Sequence, residues 1–168
     1  MRISAHGLTL DVPEGWEGRI RRQQLPSGAA TSERAEFRAH PVLHASDFPL
    51  PEERGDFGSG AVESMQSGHA FLALVEYHSS SAGTALFRSG VGMPRELTTE
   101  DFSARQLQRT IPGQGGTQRF FVVDGRAFCL YVVLGSMAER ARVVPRVNAV
   151  LGAITISEPV PPEWLEAM

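Results

Sequence analysis

An α+β domain, with a largely antiparallel sheet and helices packed on its faces, is the fold class this sequence predicts. Three observations carry it. The runs FFVV at 120–123 and RAFCLYVVL at 126–134 flank Asp124-Gly125. An Asp-Gly pair between apolar runs signals a hairpin, because both turn residues must reach positive φ. The run FLALV at 71–75 is short and almost wholly apolar, the pattern of a central strand covered on both faces. A helical pattern then follows the hairpin and leads into Ile154-Thr155-Ile156, so strands and helices share one chain segment.

In chain order, Leu8, Leu10 and Val12 alternate with Thr9 and Asp11, which predicts a half-buried strand. Pro13-Glu14-Gly15 breaks it, and Arg19-Ile20-Arg21 can return as a second strand. Residues 23–31 read as a loop. A second alternating run spans 36–43, and Pro41 within it predicts an edge strand or a bulge. Residues 45–60 hold Pro49, Pro51, Gly55, Gly58 and Gly60, a long connection of the kind that often carries function. Ser59 can cap a short helix over 61–65. Ser79 to Gly83 reads as a turn and Ala85-Leu86-Phe87 as a short strand. Thr98 can cap a helix that runs to about Thr110, with Leu97 and Phe102 spaced as a hydrophobic staple. Ser136 and Glu139 form a capping-box pattern, and Pro145 predicts a break into two helices. Val143, Val147, Val150, Leu151 and Ile154 share one helical face. Residues 1–157 are expected to form one domain and 158–168 a proline-rich tail.

The chain has 168 residues and a formal net charge of −3. That balance argues against a nucleic-acid partner, which selects a basic surface. All 16 basic residues are arginine. Without lysine, Schiff-base chemistry and a phosphate-binding P-loop are excluded. One cysteine, Cys129, excludes an internal disulfide and a multi-cysteine zinc site. Its setting, FCLYVV, reads as core. The first residues, MRISAHGLTLDVPEGW, lack the apolar run of about 7–15 residues of a signal peptide. No window approaches the ~20 apolar residues of a membrane span. The expectation is a soluble, cytoplasmic protein.

Pro13, Gly15 and Trp16 form a Pro-x-Gly-Trp turn after the first strand, and a hairpin, helix and final strand run from Phe120 to Ile156. In this order of elements the chain resembles PsbP-like domains, a group that includes the extrinsic photosystem II subunit PsbP, nuclear-import accessory proteins and many bacterial proteins. The resemblance implies an α/β/α sandwich and a binding, accessory or assembly role without catalysis. No metal-ligand or partner-contact motif of the group maps onto residues here. The all-arginine composition resembles that of actinobacterial proteins.

Several constellations suit chemistry. His40, His44 and Asp47 are suitable metal-ligand types. Pro41 argues against the helix that would align the histidines, so no metal or cofactor is assigned. Gly55, Gly58 and Gly60 precede a short helix but lack a following Gly-Lys-Ser/Thr. The Gln114-Gly115-Gly116 loop has the wrong polarity for a phosphate cradle, since it precedes a strand. Glu76 and His78 share a strand face and suit proton transfer, which makes the end of the 71–77 strand the alternative site, for a small-ligand binder or hydrolase. The principal reading is a non-enzymatic module with a protein partner, in a homo-oligomer or a larger assembly. It would act through Phe48 and Phe57 in the long connection, and Trp164 and Leu165 in the tail. No catalytic residue is assigned.

Overall fold

The structure is a computed structural model that describes residues 1–23, 40–90 and 92–158. Its strands form two antiparallel sheets. Strands β1 (Arg2–Ala5), β2 (Leu8–Asp11) and β8 (Ile154–Ile156) make a three-stranded sheet in the order β1-β2-β8. Strands β3 (Glu17–Arg22), β4 (Pro41–Ser46), β5 (Ala70–Tyr77), β6 (Gly115–Val123) and β7 (Arg126–Leu134) make a five-stranded sheet in the order β3-β4-β5-β7-β6. Two α-helices are present among the described residues, α1 (Ala85–Arg88) and α2 (Arg140–Gly152). The fold class is therefore α+β with antiparallel sheets. Among the described residues no helix is long and apolar enough to cross a membrane.

Two hairpins share one turn geometry. Asp124 and Gly125 have φ of 48° and 78° and close β6 onto β7, with Val123 opposite Arg126. His6 and Gly7 have φ of 53° and 79° and close β1 onto β2, with Ala5 opposite Leu8. Positive φ at both positions matches the right-handed twist of the flanking strands.

The expected centre of the sheet is where the sequence placed it. β5 lies third of five strands, with β4 and β7 on either side. β4 is also interior, which corrects the edge-strand reading of Pro41. Proline opens that strand, where its missing N–H costs little. β3 pairs with β4 rather than returning onto β2, so the Pro13-Glu14-Gly15 turn carries the chain from one sheet to the other. The part of the alternating run at 36–39 lies outside the described residues.

Three helical expectations change. The helix expected from Thr98 to Thr110 is two separate 3₁₀ turns, Thr99–Asp101 and Ala104–Gln106. Thr98 does cap, in a capping box with Asp101. The chain leaves the helical path because Ser103 exchanges backbone hydrogen bonds with Gly116 at 3.0 and 2.9 Å, and because Leu97, Phe102 and Leu107 recur every five residues, a poor fit to a 3.6-residue turn. Residues 85–87 form the helical turn α1 instead of a strand. The third change concerns α2, which runs unbroken through Pro145. Pro145 and Ala141 are both exposed, so water can satisfy the carbonyl that the proline leaves without a donor. Near Ser59, the expected short helix is a 3₁₀ turn, Val62–Ser64, whose N-cap is Ala61.

The five-stranded sheet is covered on both faces. On the first face, Leu43, Leu72, Leu74, Phe128, Leu130 and Val132 pack against Val143, Val147, Val150 and Leu151 of α2 and against Leu8, Leu10 and Ile154 of the small sheet. On the second face, Val42, Phe71, Ala73, Val75, Tyr131 and Val133 meet Phe48, Ala61 and Val62 of the 47–69 connection and Leu107. That second face carries the site.

Candidate functional site

Polar side chains as well as apolar ones fasten the long connection. His44 points from β4 into the second face and is fully buried, with its ring 5.2 Å from that of Phe71. Arg54 Nε donates to His44 Nδ1 at 2.7 Å, and the Asp56 carbonyl lies 2.8 Å from His44 Nε2. The imidazole therefore carries its hydrogen on Nε2 and is neutral. Burial, reinforced by Arg54 and Arg21, pushes its pKa from 6.5 down to about 3. Arg54 also donates to the Pro51 carbonyl at 2.7 Å, and Arg21 donates to the Arg54 carbonyl at 2.6 Å and reaches Asp56 at 3.4 Å. Close approach completes the fit. Gly58 has φ of 92°, and a Cβ there would meet Phe71 Cε1 at 2.6 Å, so only glycine fits.

This clamp presents Phe57 beside Tyr131, their rings 5.7 Å apart and 72° inclined. The two rings and Val62 floor a groove of about 390 Å³, rimmed by Asp56, Glu63, Gln108 and Arg109. Arg109 pairs with Glu63 at 3.0 Å across the rim. The Tyr131 hydroxyl accepts from the Gln108 backbone at 2.8 Å, and Gln114 donates to the Val62 carbonyl at 2.8 Å, so both walls are tied to the floor. The arrangement can receive an apolar or aromatic group and hold polar atoms at its edge.

The residues expected to act are scattered. Phe57 is half-buried in the groove. Phe48 is 7% exposed and stacked on His69, so its ring is committed to the second-face core. Trp164 and Leu165 lie outside the described residues. Glu76 is 8% exposed and is gripped by Arg126, with Nη2 at 2.8 Å and Nε at 3.1 Å from its two oxygens. His78 is exposed beyond the end of β5, and its Nδ1 accepts from the Ser80 backbone at 3.2 Å. Neither residue lines the groove or the cavity of about 420 Å³ between α1 and β6. His44 and Asp47 are not brought together, since Asp47 accepts from Ala70 N at 2.9 Å and from Arg146. Among the described residues no three His, Cys, Asp or Glu side chains gather as metal ligands would. Cys129 is fully buried, and burial pushes its thiol up to about 12.

Tyr131, Val62, Gln108 and Arg109 were not foreseen as site residues. Tyr131 sits in a run buried on both faces, where no alternation marks one ring as different. Gln108 and Arg109 fell within the expected helix.

No protein-family model matches this chain, and no curated protein and no solved structure matches it.

Proposed function

We propose that this chain is a non-enzymatic binding or assembly module that acts through protein contacts, with the Phe57 groove as the docking surface. The groove carries the reading. An aromatic floor held in place by buried hydrogen bonds, with a charged rim open to water, is the make-up of an interface hot spot. Among the described residues Glu76 is paired with Arg126, His44 is held between Arg54 and Asp56, and Cys129 lies in the core. The accessory role implied by the PsbP-like order of elements agrees with this reading. An α/β/α description of the fold, with α1 as the second helical layer, belongs to the same proposal, as do a cytoplasmic location and a homo-oligomer or larger assembly.

Affinity purification with quantitative mass spectrometry tests it, comparing the wild type with Phe57→Glu and with a chain lacking residues 159–168. Burying a carboxylate at the floor of a hot spot should lower partner recovery by at least about tenfold. Equal recovery by a folded Phe57→Glu protein removes the groove from the reading. Loss only in the shortened chain moves the contact to Trp164 and Leu165.

A further inference from the structure

We infer that His44 is an acid-sensitive latch: protonation of its imidazole frees residues 51–57, and with them one wall of the groove, while the five-stranded sheet stays folded. The geometry carries this. His44 is held between a partner that can only donate, the Arg54 guanidinium, and one that can only accept, the Asp56 carbonyl. Only the neutral ring with its hydrogen on Nε2 satisfies both. A proton added at Nδ1 would point at the Arg54 N–H and set a second cation 2.7 Å from a guanidinium.

Among the described residues the charges that act on the ring oppose its protonation. From the loop, Arg54 and Asp56 face the ring. From β3 come Arg19, its register partner, and Arg21, whose charge acts on the ring, while Glu17 acts on Arg54. From β5 come only Ala73, the register partner on that side, and the Phe71 ring. Among the described residues the charges that act on the ring itself are the arginines Arg54 and Arg21, while Glu17 and Glu52 act on Arg54.

The side-chain ties that hold residues 51–57 to β3 and β4 run through the same residues. Arg54 holds Pro51, and Arg21 holds the Arg54 carbonyl and Asp56. Losing the His44–Arg54 bond loosens them together. The backbone ladder that joins β4 to β5 and β5 to β7 uses no imidazole, so it has no reason to open with the loop.

The sign follows from linkage. In the open form His44 regains an ordinary pKa near 6.5, whereas the closed form resists protonation down to about 3. Closure is therefore fully favoured above 6.5 and weakens as pH falls through that window. The open fraction should rise about tenfold per pH unit within it. This latch stands whether or not a partner occupies the groove.

Hydrogen exchange on the full chain between pH 7.5 and 4.5, corrected for intrinsic rates, tests the latch. The amides of Gly55, Gly58 and Ala61, bonded to the carbonyls of Ser59, Gly55 and Gly58, report on the loop. Their protection should fall about tenfold per unit below roughly pH 6.5, while amides in β5 and β7 keep theirs. His44→Gln, which can accept from Arg54 and donate to Asp56 without titrating, should flatten the dependence. If that variant does not fold, nitrogen-15 spectra of the wild-type imidazole at neutral pH should show the hydrogen on Nε2. Constant loop protection, a parallel fall in loop and sheet, a slope surviving in His44→Gln, or a hydrogen on Nδ1 would each overturn the proposal.

Discussion

The two faces of the five-stranded sheet are covered by different physics. The first face meets α2 and the small sheet through leucine, valine and phenylalanine, almost all fully buried. Its attachment is non-directional and scales with area. The second face meets a loop, and His44, Arg54 and Gln114 set that loop by bonds of fixed direction. Area tolerates small shifts. A bond between a lone donor and a lone acceptor does not. The first face therefore supplies most of the stability, and the second supplies the placement of Phe57 over Tyr131.

Three substitutions break this contrast in turn. Leu130→Ala on the first face should cost the most, about 2–5 kcal/mol in urea unfolding, with the whole chain unfolding as one transition. Arg54→Leu on the second face should cost about 1–3 kcal/mol, because it leaves His44 Nδ1 and the Pro51 carbonyl without a donor. Its effect should be local, seen as exchange in residues 51–60 that exceeds the change in β5. A uniform loss across the chain would erase the distinction between the faces. Arg109→Ala on the rim should change stability least, by roughly 0–1 kcal/mol, since its pair with Glu63 is largely exposed. If the groove is the docking surface, partner recovery should still fall in this variant, and an unchanged recovery would leave Arg109 outside it.

Different parts of this fold were legible for different reasons. Asp124-Gly125 announces a hairpin because its residue types are the ones that tolerate positive φ. His6-Gly7 adopts nearly the same angles, yet histidine in the first position is no turn signature, so β1 went unread. The face formed by Val143, Val147, Val150, Leu151 and Ile154 was legible from spacing and is buried as expected. The cap at Thr98 was legible as well, but a cap specifies a start and not a length. What ended that helix was Gly116, a partner distant in sequence. The site was the least legible part. Phe57 stood out as an aromatic in a long loop, but nothing local reveals that His44 will meet Arg54, or that Tyr131 will lie beneath.

The small sheet imposes an order in time. It pairs Leu8 with Ile156 and Leu10 with Ile154, across nearly the whole described chain, and Ser157 donates to the Gly7 carbonyl at 2.8 Å. During synthesis the β1–β2 hairpin is made before the other described strands, when β8 is not yet there to pair with it. A lone hairpin is marginal in water, and the second edge of β2 stays unpaired until β8 has been made. β8 brings few apolar residues of its own, and Arg126 fastens its end by donating to the Ser157 carbonyl at 2.6 Å. Among the described strands β8 is thus the last to be made, and it closes the free edge of β2, one of the earliest.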